Sequence, residues 1–103
     1  MEIIPTVVPA AFAEAEAAAE RATLFASSLH LDFSDGVFAP NVTWLPEIGE
    51  RLSPRGAFSY EAHLMVSVPR EVGVRAISAG ASRVIGHIEA MGERAGTILA
   101  DWK

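Results

Sequence analysis

Three histidines and a handful of carboxylates hold most of this chain's chemical capacity, and two pairs of them share one spacing. His30 and Asp32 lie two positions apart in HLDFSDGVFAPN, residues 30–41, and Glu61 and His63 lie two apart in SYEAHLMV, residues 59–66. In an extended chain, residues two apart project to the same side. An imidazole beside a carboxylate can move protons as a general acid and base, or hold a divalent cation. The chain has no cysteine, which excludes thiolate chemistry and disulfides and leaves His, Asp and Glu as the only plausible metal ligands. Taken singly, each residue has an ordinary explanation. A lone strand histidine is more often hydrogen-bonded in a core than bound to metal, Glu61 can reach water or a hydroxyl, and Asp35-Gly36 reads as turn chemistry. Several polar side chains converging on one face are harder to explain so, because an unpaired buried carboxylate is costly. His87 is the weaker candidate, having no acidic residue two positions before it.

The elements that must position these residues alternate between two periodicities. Glu2 to Val8 reads as a short buried strand that Pro9 ends, and residues 10–26, rich in Ala and Glu, read as the clearest helix. Ser28 to Phe33 alternates like a strand, with Leu29, Leu31 and Phe33 on one face and Ser28, His30, Asp32 and Ser34 on the other. A short helix is predicted over Thr43 to Leu52, closed by Ser53-Pro54. Phe58 to Met65 is a third strand, with Phe58, Tyr60, Ala62 and Leu64 opposite Ser59, Glu61, His63 and Met65. Pro69 opens a helix that Gly80 closes, and Ser82 to Ile88 is a fourth strand. In the tail, Met91, Ala95, Ile98, Leu99 and Trp102 share one helical face, so a last helix is predicted with Gly96 as its weak point. The pattern βαβαβαβα with short connections implies an α/β fold with a parallel sheet. The polar face carries Thr6, His30, Asp32, Glu61, His63 and, as the weaker member, His87, most of them near the C-terminal strand ends, where ligands bind in parallel α/β folds.

A length of 103 residues fits a single domain spanning residues 1–103. Eight basic against 13 acidic side chains give a net charge of −5 with no basic block, so nucleic acid is not an expected partner. No segment approaches a membrane span, and the opening MEIIPTVVP lacks the basic start of a signal peptide, so a soluble cytoplasmic protein is the expectation. Hydrophobic residues reach 50%, which is high for so short a chain and leaves apolar surface for a partner to cover.

The same residues carry a family resemblance. HLDFSDGVFAPN resembles the H-x-D-x-M-D-G-x-F-x-P-N segment of ribulose-phosphate 3-epimerases, EAHLMV their D-x-H-L-M-V strand, and IIPTVVPAAF their opening P-S-I-L-S-x-D-F; HIEA after the fourth strand fits as well. The resemblance runs along essentially the whole chain but covers only the first half of the family's eight-stranded barrel. It implies a (βα)4 half of a TIM-type (βα)8 barrel and a divalent metal ion, Zn, Fe or Mn. His30, Asp32 and His63 would be metal ligands, and Asp32 also the catalytic acid/base. Thr6 stands where the family has a substrate-contacting serine, and Met65 would line the substrate pocket. The implied activity is epimerisation at carbon 3 of a ketopentose phosphate, ribulose 5-phosphate to xylulose 5-phosphate.

Two departures limit what one chain can do. Ser34 replaces a lining methionine, which makes the pocket wetter. The family's second aspartate and its phosphate-gripping loops belong to the later strands. An open four-stranded sheet also exposes two edges and its polar face. A second copy would close both edges, as a homodimer or larger homo-oligomer, and would bring another His63 where the family has its second aspartate; a complementary half-barrel chain is the other partner. The competing expectation is a non-catalytic half-barrel subunit or interaction module that retains a metal-binding remnant.

Overall fold

A computed structural model of the chain describes residues 3–53 and 58–103. The elements run β1 (Thr6–Val7), α1 (Phe12–Ala22), β2 (Ser28–Ser34), β3 (Ser59–Met65), α2 (Pro69–Ala79), β4 (Ala81–Gly86), α3 (Ile88–Met91) and α4 (Ala95–Asp101), with a 3-10 turn at Gly92–Arg94. All four strands are parallel in the order β1-β2-β3-β4, an α/β sheet consistent with a partial TIM barrel and not closed among the described residues. No helix of the described residues is long and apolar enough to cross a membrane.

Strict alternation builds the two central strands. Leu29, Leu31 and Phe33 of β2 and Tyr60, Ala62 and Leu64 of β3 are buried beneath the helices, while the residues between them point to the other face. Helix α1 faces this core through Ala15, Ala18, Ala19 and Ala22, an i, i+3, i+4, i+7 stripe of small side chains that lets the helix approach β2 closely. It stops at Ala22, short of the expected Ala26, leaving Leu24 and Phe25 exposed as the chain turns into β2. The first strand is likewise shorter than read from the sequence. Glu2 lies outside the described residues, and only Thr6–Val7 pairs with β2.

The helix expected over Thr43–Leu52 does not form: no residue from 43 to 53 is helical. Pro46 has no N–H to donate and disfavours helical backbone at Leu45. Tertiary bonds hold the segment instead. Trp44 donates its backbone N–H to the Pro9 carbonyl at 2.8 Å and its indole N–H to Glu50 at 2.7 Å, and packs edge-on to Phe33 with ring centroids 5.3 Å apart. The Leu52 N–H bonds the Ala79 carbonyl, tying the loop's end to α2. The Pro54 assigned to the end of that helix lies outside the described residues.

The C-terminal segment breaks at Gly92, which has φ +58, and not at Gly96. The fourth strand stops at Gly86, so Ile88 begins α3. Trp102, at the end of α4, lies across α2 and β4 and donates its indole N–H to the Arg70 carbonyl at 3.1 Å. Two glycines make room for it. A Cβ on Gly73 would collide with the Trp102 ring, and one on Gly86 would collide with Met91 and approach Trp102 closely. Gly73→Ala should therefore destabilise the fold by up to about 2 kcal/mol, because overpacking of up to about 3 kcal/mol outweighs about 1 kcal/mol of gained helix propensity. Gly96, in α4, has nothing within 4 Å of a built Cβ, and Gly96→Ala should stabilise by up to about 1 kcal/mol. Urea unfolding of the two variants checks the opposite signs.

Candidate functional site

The polar face of β2 and β3 sets the site, and register decides which side chains meet. His30 pairs with Glu61, Asp32 with His63, and Glu61 in turn with Arg83 of β4. Residues at one level of a parallel sheet point to the same side, so three strands bring their polar side chains into one hydrogen-bonded row. Arg83 donates to Glu61 Oε2 at 3.0 Å, and Glu61 Oε1 lies 2.6 Å from His30 Nδ1. His30 Nε2 lies 3.0 Å from Asp32 Oδ1, and His63 Nδ1 lies 3.0 Å from the same oxygen. His63 Nε2 then meets His87 Nε2 at 2.8 Å, with the Phe38 ring 5.0 Å from the His87 ring.

The hydrogen bond from His30 is the strongest influence on Glu61; burial opposes it and Arg83 adds to it, so the carboxyl is held below its ordinary range. Glu61 is thus an ionised acceptor. The Asp32 and His30 side chains are 18% exposed and that of His63 is 25%, which shelters the row while leaving it within reach of solvent.

His30, Asp32 and His63 each offer one ligand atom, and these lie within 4.8 Å of one another. Two imidazole nitrogens and a carboxylate oxygen suit a borderline cation such as zinc, iron or manganese. Ligand distances for such ions are about 2.0–2.2 Å, which a group of donors this close can meet. Three protein ligands leave coordination positions for other groups, the pattern of reactive rather than structural sites. The donor set therefore fits a divalent cation.

The structure brings together the three ligand candidates of the sequence. Thr6 pairs with His30 in the sheet, at the exposed edge of the row. Met65 pairs with Ser34 one level above Asp32 and His63, on their face. Ser34 does not wet the pocket as expected. It is fully buried, and its hydroxyl donates to the Asn41 carbonyl at 2.6 Å. Two residues carry more than their sequence signal. Glu61, whose ordinary reading is a bond to water or a hydroxyl, lies 2.6 Å from His30, and His87, the weaker candidate, lies 2.8 Å from His63. The E-x-H spacing hinted at the first; His87 follows the end of β4 and no local spacing marks it.

Asp35 confirms its turn role and adds a second. Its Oδ1 accepts from the Val37 and Phe38 N–H groups, and its Oδ2 from the Ser67 N–H and hydroxyl, both at 2.8 Å. It therefore joins the loops that follow β2 and β3. Burial opposes its ionisation, but the Ser67, Val37 and Phe38 donors outweigh that and hold the carboxyl well below the ordinary aspartate value. A carboxyl with a depressed folded pKa stabilises the fold above its unfolded value, and the contribution is lost as pH falls towards the folded value. Asp35→Asn should lower stability at neutral pH by about 1–3 kcal/mol, because an amide N–H would face the Ser67 donors. It should also flatten the fall in stability below about pH 4. Thermal unfolding from neutral to acid pH checks both.

Fold and site together define a class: a parallel α/β protein of partial-barrel type with a histidine–aspartate group near its C-terminal strand ends that could hold a cation. Residues 2–101 match the ribulose-phosphate 3 epimerase family, and the chain belongs to that family. It is 33% identical over 95 residues to the ribulose-phosphate 3-epimerase of Treponema pallidum, covering 87% of this chain and 44% of that protein. It is 35% identical over 89 residues to the cytoplasmic isoform of Oryza sativa subsp. japonica, covering 85% and 39%. To the Chlamydia muridarum enzyme it is 37% identical over 65 residues, covering 63% and 28%. The chain thus spans less than half the length of the curated relatives it matches.

Proposed function

We propose that this chain forms the cation-and-base side of an epimerase acting on a ketopentose phosphate, in the cytoplasm, with the barrel completed by a second copy or by another polypeptide carrying the other half. The observation that carries the reading is the convergence of His30 Nε2, Asp32 Oδ1 and His63 Nδ1 in a member of this family. Asp32 is the carboxylate at that point, placed to take a proton from the carbon beside the substrate ketone. A divalent cation bound there would supply positive charge next to the negative oxygen that develops as the proton leaves. His30 Nε2 and His63 Nδ1 both face Asp32 Oδ1 at 3.0 Å and, with a cation between them, would fix that carboxylate's direction of approach. Thr6 and Met65 flank the row and would contact substrate.

Inverting one carbon needs a second group on the opposite face of the substrate. Among the described residues Glu61 is the other carboxylate of the row, and it is engaged by Arg83 and His30. The returning acid is therefore assigned to the completing half. Support for such a partner comes from the outer edges of β1 and β4, unpaired among the described residues, and from exposed apolar side chains in the loop after β2, with Val37 and Val42 each 76% exposed. The lack of a second disengaged carboxylate in the row also favours the alternative, a non-catalytic half-barrel subunit that retains a cation site.

A coupled assay on ribulose 5-phosphate with added Zn²⁺ or Mn²⁺, run beside light scattering on the same sample, separates the two. Turnover confined to the assembled fraction supports the enzyme. Absence of turnover with every metal supports the subunit, and a stable folded monomer with full activity overturns the proposed completion.

A further inference from the structure

The row of hydrogen bonds limits which nitrogen each histidine can offer. Glu61 Oε2 accepts from Arg83 at 3.0 Å and its Oε1 lies 2.6 Å from His30 Nδ1, so that nitrogen is the one that donates its ring proton. Nε2 of His30 then faces Asp32 Oδ1 at 3.0 Å, a gap that only a proton or a cation can bridge favourably. The same reasoning applies to His63 from the other side. Its Nε2 and the His87 Nε2 are 2.8 Å apart, a separation that accommodates one proton between two nitrogens. With that proton on His63, His87 accepts it and His63 Nδ1 is left bare, 3.0 Å from the oxygen that His30 addresses.

We propose that Glu61, anchored by Arg83, and His87, backed by Phe38, are positioning residues for the cation site: each engages a ligand histidine at the nitrogen remote from Asp32, so that His30 presents Nε2 and His63 presents Nδ1 to a shared divalent cation. The proposal rests on the reading that this site takes such a cation. Three strands and the residue after β4 contribute to it. Arg83 and Glu61 pair across β4 and β3, Glu61 and His30 across β3 and β2, and the Phe38 ring lies 5.0 Å from that of His87. Hydrogen bonds that fix ring orientation and tautomer in this way support metal affinity, and losing one typically lowers it about 10–100-fold.

The test uses the full chain with Zn²⁺ as the probe. Zinc affinity is measured by competition with a chromophoric chelator for the wild type, Glu61→Ala, Glu61→Gln and His87→Ala. Long-range ¹H–¹⁵N correlation spectra of the zinc-loaded wild type identify the ligating nitrogens. The expected result is ligation through His30 Nε2 and His63 Nδ1, and an affinity loss of about 10–100-fold in each alanine variant. Glu61→Gln, whose amide oxygen can still accept from Nδ1, should recover most of the loss, which a merely structural role would not produce. It also carries the test if Glu61→Ala does not fold, being then expected to keep near-wild-type affinity and His30 Nε2 ligation. Wild-type zinc binding with unchanged affinity in both alanine variants, or ligation through the opposite nitrogens, overturns the proposal alone. A wild type that folds but binds no zinc overturns the cation reading and the proposal with it.

Discussion

In the completed epimerase proposed above, Asp32→Asn should lower turnover of ribulose 5-phosphate by about 10²–10⁴-fold, the range over which a positioned general acid or base contributes. Asparagine keeps the size of the side chain and one acceptor oxygen, so β2 and its register with β3 should be retained. It loses the charge and the ability to take a proton. Asp32 is also the residue that both ligand histidines approach, at 3.0 Å each, so the same variant should weaken cation binding. Activity and zinc affinity should therefore fall together while the circular dichroism spectrum stays that of the wild type. An Asp32→Asn variant retaining more than about a tenth of wild-type turnover would refute the assignment, since it would leave less than the lower end of that range to the carboxylate.

The second large effect is loss of cation binding in the His30→Ala, His63→Ala double variant. In structural zinc sites about 10–16 kcal/mol of binding is shared among four protein ligands, roughly 2.5–4 kcal/mol each, so losing two of the three here should cost on the order of 10⁴-fold or more in affinity. The wild type should in turn be stabilised by the metal, by about 2.7 kcal/mol when zinc is present at 100 times its dissociation constant. For a domain near 100 residues this corresponds to a rise in Tm on the order of 10 °C. Isothermal titration with Zn²⁺ or Mn²⁺ and a thermal scan with and without metal read both quantities. Equal metal-induced shifts in the wild type and the double variant would place the cation elsewhere.

Much of this architecture is legible in local patterns. In β2 and β3 a period of two separates Leu29, Leu31, Phe33, Tyr60, Ala62 and Leu64 from the polar residues between them, and burial follows that division. Pro69 and Gly80 bracket α2 as expected, with Gly80 at φ +122. The misreadings fall where tertiary bonds override a local preference. A short helix is expected from Thr43 to Leu52, but Pro46 disfavours it, and burial of Trp44 against Phe33 and Phe12 offers more than a short isolated helix could return. The break in the tail falls at Gly92 because its positive φ redirects α4 so that Trp102 reaches Gly73 and Gly86, residues far from it in sequence.

The sequence alone determined the polar and apolar faces of the strands, the identity of His30, Asp32 and His63 as a donor set, and the family, because alternation and motif spacing are local properties of the chain. Only the tertiary structure decided that Glu61 meets His30, that His87 meets His63, and that the Ser34 hydroxyl turns away into the loop. Those contacts depend on the register between strands and on where a loop returns. Register is set by the packing of the whole sheet, and shifting it by one residue would send every polar side chain of a strand to the opposite face.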